Sequence, residues 1–213
     1  MISKEKFEKA LADVRKQEEE RHKKRNFDQT IDLIINLKNF DVRKNAINTI
    51  VTLPHKVKDK KIAGFLENKS EAIDSITKEE FDLYKDKKKL KNLVNKYDFF
   101  IANAKLMPAI ATNFGRVLGP LGKMPSPQMG ILMKEDDNNI KELADKINSV
   151  VKIRQSEPCL KIAIGKQSSK DQDIVENALK IYNEVWKNLP RQKENLKSIL
   201  IKTTMGKPAR IKI

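Results

Sequence analysis

The chain has 213 residues, a formal net charge of +15, 39% apolar residues and 6% aromatics, enough for one large or two small domains with lean aliphatic cores. So large a positive excess repels itself in the compact state but concentrates polyanions, so nucleic acid is the expected partner and binding should weaken with salt. No apolar run approaches the ~20 residues that span a bilayer, the charged residues 1–24 have no apolar segment of a secretory signal, and the single cysteine, Cys159, cannot close an internal disulfide; a cytoplasmic protein with no membrane partner is expected.

Residues 3–22 are expected to be a helix, with Ser3 as N-cap and Phe7, Leu11 and Val14 on one side. Residues 15–25 are almost wholly charged and should run on as a solvated or RNA-facing arm. A polar lead-in over residues 25–30 carries one aromatic, Phe27. Ile31, Ile34, Ile35 and Leu37 follow at helical spacing. Residues 46–53 alternate, with Ile47, Thr49, Val51 and Leu53 on one face of a strand that Pro54 stops.

The lysine-rich stretch 55–61 reads as a linker. After it the texture changes to short apolar runs between helices. Residues 62–66 suit a strand buried on both faces. Ala72, Ile73 and Ile76 suggest a short helix, and residues 85–96 a basic one with Leu90, Leu93 and Val94 inside. Residues 99–102 form a second buried run, and Leu106 and Ile110 belong to a further helix. Residues 140–150 are helical, with Leu143, Ala144, Ile147 and Val151 on one side. Residues 153–158 read as a second linker. A strand over 160–164, a helix over 171–189 and strands over 199–203 and 209–213 follow. Two linkers around a mainly parallel α/β pattern predict an insertion: residues 1–57 and 154–213 in one domain, residues 58–153 in the other.

Chemistry of the catalytic kind is poorly supplied. Two isolated histidines, His22 and His55, and one cysteine make no usual zinc site, and no nucleophile elbow is present. Neither an enzyme nor a bound metal or cofactor is expected. In the glycine-rich segment 115–125, a phosphate loop would need glycine at Val117 and a hydroxyl residue at Met124. Pro120 removes a donor, and Pro125 and Pro127 forbid a phosphate-capping helix there. Two readings stay open, a rigid turn-rich loop and a basic loop that approaches RNA or another protein.

The segment 203–208 lies between two strands. Alternation places Ser198, Leu200, Lys202 and Thr204 on one face and Ile199, Ile201 and Thr203 on the core side. Hydroxyls and Lys202 can bond phosphate and 2′-OH groups, Met205 can pack on a ribose or base, and Gly206 lets a sugar-phosphate backbone come close. An ordinary hairpin would show the same pattern. Phe27 is likewise open between a core role and an aromatic face beside Arg25 and Gln29. The lysine runs at 56–61 and 85–91 are solvated faces that add long-range attraction.

The segment 115–127 resembles the signature loop of the large-subunit ribosomal protein family called L-one, through Gly115, Arg116, Leu118, Gly119, Pro120, Gly122, Met124, Pro125 and Pro127. Leu121 departs from the pattern, which usually has arginine there. Asn26-Phe27-Asp28-Gln29-Thr30 is similar to the family's entry to its first long helix, Leu53-Pro54-His55 to its first hinge, Phe99-Phe100-Ile101-Ala102 to its second-domain strand, and Thr203-Thr204-Met205-Gly206 to its RNA-binding turn. The missing bacterial-type N-terminal extension and the Gly122-Lys123-Met124 variant look archaeal.

The resemblance covers nearly the whole chain. It implies an α/β protein of two domains, a discontinuous α+β sandwich built from both chain ends and an inserted Rossmann-like three-layer domain. It places RNA contacts at Phe27, Thr30, Ser198, Thr204, Met205 and Gly206; Gln29, beside Phe27, is counted with them, and Lys166 and Lys202 are added from charge and strand face. It further implies binding to the mobile stalk region of large-subunit rRNA, action on exit-site tRNA, repression through the protein's own mRNA, and a monomer when free of the ribosome.

Overall fold

The computed structural model describes residues 3–20, 26–70, 72–84, 86–127, 129–133 and 135–211. In chain order the elements are α1 (Lys4–Glu19), β1 (Thr30–Leu37), α2 (Val42–Asn45), β2 (Asn48–Thr52), β3 (Ile62–Phe65), β4 (Asp74–Ile76), α3 (Lys87–Lys96), β5 (Phe99–Asn103), α4 (Met107–Leu121), β6 (Ile131–Leu132), α5 (Asp137–Asn148), β7 (Val150–Arg154), β8 (Cys159–Lys166), α6 (Asp171–Asn188), β9 (Leu196–Thr203) and β10 (Ala209–Ile211). The far ends of two expected elements, residues 21–22 and 212–213, lie outside the described residues, as do His22 and Arg25. Contacts divide the chain into two units, 1–58 with 149–213, and 59–148.

In the unit built from both chain ends, four antiparallel strands stand in the order β10-β9-β1-β8. Burial in β1 has period two: Ile31, Leu33, Ile35 and Leu37 are inside. This segment is therefore a strand, where Ile31, Ile34, Ile35 and Leu37 suggested a helix. The motif 26–30 accordingly leads into a strand rather than a long helix. Outward-facing Ile34 hid the alternation, because it made three of the first five residues of the run isoleucine.

Helices α1 and α6 pack on the inner face and against each other. Their stripes, Phe7, Leu11 and Val14 on α1 and Ile174, Ala178, Ile181 and Val185 on α6, are all buried with the inner residues of the sheet. Each leucine, isoleucine, valine or phenylalanine among them contributes roughly 1.5–3 kcal/mol on burial. The Phe7 and Tyr182 rings meet at 6.0 Å between centroids. Arg15 ties the helices together through Asp171 Oδ1 at 2.6 Å and the Ser169 carbonyl at 3.1 Å.

The pair β2–β7 is a separate antiparallel ribbon, with Val51 opposite Val151. It takes in the first two residues of the second expected linker, and Val151 belongs to it rather than to the preceding helix. Contacts accordingly place residues 149–153 with the chain ends, where the sequence suggested a boundary after residue 153. The carboxamide of buried Asn177 bonds His55 in both directions, Nδ2 to its carbonyl at 3.0 Å and Oδ1 from its N–H at 3.1 Å. This anchors the chain just before it leaves the unit.

The inserted unit has a parallel sheet in the order β4-β3-β5-β6. Ala63, Phe65, Phe100 and Ala102 face α3 and α4 in one core, and Ile101 and Leu132 face α5 through Ile140 and Ile147 in another. Both faces are covered, giving three layers. The helix expected around Ala72, Ile73 and Ile76 is instead the short edge strand β4, paired with β3.

Candidate nucleic-acid interface

The turn 203–206 is held from beneath. Thr203 is 2% exposed, as alternation requires, and its hydroxyl donates to Glu18 Oε1 at 2.8 Å. Glu18 Oε2 accepts from Gln29 Nε2 at 2.9 Å, and Gln29 Oε1 accepts from the Met205 N–H at 3.1 Å. Gln29 is 1% exposed. Its amide is spent inside the protein, so it positions the turn and is removed from the set of contact residues. Glu18, in the last turn of α1, was missed: it sits in a run of charges where nothing marks one carboxylate from its neighbours.

A Cβ on Gly206 would stand 2.1 Å from Thr203 Oγ1 and 2.9 Å from Glu18 Oε1. Glycine is therefore required by this network, independently of any ligand. Thr204 is exposed. Its N–H donates to the Thr30 carbonyl at 2.9 Å, and its hydroxyl accepts from the Thr30 N–H and donates to the Thr30 carbonyl, each at 3.2 Å. With the frame fixed, two large apolar side chains stand outward, Phe27 at 53% and Met205 at 50% exposure. Such exposure on a rigid frame points to contact with something outside the chain.

The turn continues into the outer face of the sheet. The strand registers set out rows across it. Lys166 and Thr30 lie beside Thr204. Next come Ala163, Asp32 and Lys202, then Lys161, Ile34, Leu200 and Arg210, and last Cys159, Asn36 and Ser198. All these side chains are half-exposed or exposed. The structure thus brings Thr30, Lys166, Ser198, Lys202 and Thr204 onto one face. Sequence reasoning missed Asn36, whose Nδ2 donates to Ser198 Oγ at 2.9 Å. Burial pushes the Asp32 carboxyl above its ordinary value, and nearby Lys202 opposes the shift. Lys166 lies 3.9 Å from Asp28, which also caps Ser168 through its N–H at 3.1 Å.

The glycine-rich signature is largely helix. Gly115, Arg116, Gly119 and Pro120 belong to α4, and Gly122 caps its end at φ 68°. The expected loop is confined to the residues after that cap. The helix survives two glycines and a late proline because Phe114 and Leu118 are buried on its inner side. Arg116, Gly119, Pro120 and Leu121 are exposed on its outer side. Lys123 donates to the carbonyls of Val94 at 2.6 Å and Tyr97 at 2.7 Å, closing the end of α3. Met124 packs on the core and Pro125 is buried, so both shape the turn.

Parallel sheets of this kind usually bind ligands beyond the carboxyl ends of their strands. Here Glu135 fills that position. It accepts from the Glu67 N–H at 2.8 Å, the Asn68 N–H at 3.2 Å and Asn103 Nδ2 at 2.7 Å. No helix among the described residues is long and apolar enough to cross a membrane.

Fold and surface define a class: a strongly basic protein in which a parallel α/β unit interrupts an antiparallel α+β unit that bears an open, donor-rich sheet. The sequence matches the ribosomal protein L1p/L10e family over residues 19–207. It is 35% identical over 212 residues to the large ribosomal subunit protein uL1 of Thermococcus kodakarensis, covering 94% of this chain and 96% of that one. It is 36% identical to the same-named proteins of Archaeoglobus fulgidus, covering 99% of each chain, and of Methanocaldococcus jannaschii, covering 95% of each. The chain belongs to the ribosomal protein L1p/L10e family, a family of ribosomal proteins rather than enzymes.

Proposed function

We propose that this protein is a constituent of the large ribosomal subunit that binds the mobile stalk region of large-subunit rRNA through the discontinuous unit. Its contact set is Phe27, Thr30, Lys166, Ser198, Lys202, Thr204, Met205 and Gly206. The single observation that carries this reading is the pair of half-exposed apolar side chains, Met205 on a turn fixed by Glu18 and Gln29 and Phe27 two residues before Gln29. A rigid frame with outward apolar groups and hydroxyls can pack on riboses and bases without first being ordered. The charge of +15 supplies the long-range attraction.

From family membership the same surface represses translation by binding a similar site on the protein's own mRNA, and the ribosome-bound protein aids release of deacylated tRNA from the exit site. The free protein is a monomer in this reading. Filter binding at fixed salt, with a stalk-rRNA transcript against the mRNA leader, tests the two RNA roles. Thr204→Ala and Met205→Ala should each weaken specific binding by about 1–3 kcal/mol and leave the fold intact. Replacing one lysine of residues 88–91 should mainly reduce the salt slope. A lysine variant more damaging to specific binding than either turn variant would displace the site.

A further inference from the structure

The outer sheet face holds one acid among cations. Its rows carry Lys166, Lys202, Lys161 and Arg210, and among them Asp32, the third residue of β1, which lies mid-sheet between β8 and β9. Asp32 stands between Ala163 on β8 and Lys202 on β9, and between Thr30 and Ile34 along its own strand. It is half-buried. Among the described residues its carboxylate makes no hydrogen bond and no ion pair within 4.0 Å, and only the more distant charge of Lys202, opposite it on β9, acts on it. A partly desolvated carboxylate left without a donor is costly, and such groups in native proteins call for an explanation.

The neighbours say what kind of donor would fit. Phosphate is excluded, because an ionised carboxylate has acceptors only and repels an anion. A lysine or arginine from a protein partner would have to enter a field set by four cations, which disfavours it. A nucleobase is neutral, flat and carries donors on its edge. Ile34, Leu200 and Ala163 form an apolar floor beside Asp32, set across three adjacent strands. A base lying on that floor turns its edge toward the carboxylate, while Lys202 and Lys161 remain free to face its phosphates. Two carboxylate oxygens side by side match two N–H donors side by side. Guanine offers this pair on its Watson–Crick edge, at N1–H and the N2 amino group, when the base is unpaired.

We propose that Asp32 is a specificity-determining residue of the RNA surface, reading the Watson–Crick edge of one unpaired guanine laid on Ile34, Leu200 and Ala163. The inference rests on the proposed RNA-binding function and deepens it. Cationic contacts from Lys166 and Lys202 hold the strand, and Asp32 chooses the base. Asparagine at this position would present one acceptor and one donor, and would clash with one of guanine's donors.

The test is selection from a randomised-loop RNA pool by the full-length protein, by Asp32→Asn and by Asp32→Glu. Each guanine of the wild-type winner is then replaced singly by inosine, which lacks the N2 amino group. One inosine should weaken wild-type binding about tenfold and leave the already weakened Asp32→Asn variant unchanged. Asp32→Glu should keep the guanine in its selected consensus, and Asp32→Asn should lose it. Thermal unfolding of both variants checks that the fold is kept. An identical consensus from wild type and Asp32→Asn, or a penalty that tracks another base, overturns the inference and leaves the RNA surface standing. Failure of the wild-type protein to enrich any RNA overturns both.

Discussion

Two glycine-bearing segments mark this chain, and the structure constrains their glycines differently. At Gly206 a side chain is forbidden from inside: a Cβ would meet Thr203 Oγ1 at 2.1 Å. At Gly115 and Gly119 nothing lies within 4 Å of where a Cβ would be, although both sit in α4, where glycine costs stability relative to alanine. The first glycine belongs to the internal frame of the turn. Among the described residues the other two meet no packing constraint, so the helix itself does not require them. A glycine motif read from sequence thus does not separate glycines the fold requires from glycines it merely accepts.

The sharpest way to break this comparison is Gly206→Ala. The new methyl must displace the Thr203 hydroxyl from Glu18, so stability should fall by about 1–3 kcal/mol in urea unfolding. RNA affinity should fall with it. An unaltered midpoint would show that Thr203 can turn away freely and that the frame is looser than its distances suggest. Glu18→Ala asks the same question from the other side. It strands the Thr203 hydroxyl and one donor of the Gln29 amide, both buried, and should cost about 1–2 kcal/mol. It should weaken RNA binding although Glu18 lies beneath the contact surface. In α4 the sign reverses: Gly115→Ala and Gly119→Ala should each stabilise by about 0.5–1 kcal/mol. A loss of stability at either position would mean that the helix needs its glycines after all.

The same contrast explains what the sequence made legible. The long helices α1 and α6 of the discontinuous unit and the inward face of β9 were readable because each has one apolar side and one polar side. Thr203 could be placed inside by counting alone. β1 was misread because Ile34 puts an apolar residue on the outer face, and that departure from alternation is itself part of the proposed RNA surface. β7 was missed because its pairing partner, β2, is about a hundred residues away and the segment carries linker-like charges. The helical half of the signature was hidden by the conformational reputation of Gly119 and Pro120, which Phe114 and Leu118 override by burial. Within the site, residues that touch solvent were nominated by chemistry, whereas Gln29 was assigned to RNA and Glu18 was overlooked. Burial decides both, and burial depends on contacts remote in sequence.

The smallest effect concerns Asp32, and its sign separates stability from recognition. Burial raises the carboxyl's folded value above its ordinary one, with Lys202 opposing. A group shifted in this direction favours the native state most at pH below its unfolded value, and loses that contribution as pH rises through the folded value. At neutral pH the ionised carboxylate therefore weakens the free protein. Asp32→Asn should raise the melting temperature at pH 7 by about a degree or two, since the site is half-exposed and solvent screens most of the penalty. The gain should shrink on acidification and vanish once Asp32 is protonated in both states, below about pH 3. Differential scanning calorimetry across that range reads it directly. A variant that is less stable at pH 7 would mean that Lys202 outweighs burial and that Asp32 serves the fold. A variant that is more stable yet blind to guanine would mean that the chain carries this unpaired acid for its partner, as functional groups often trade stability for recognition.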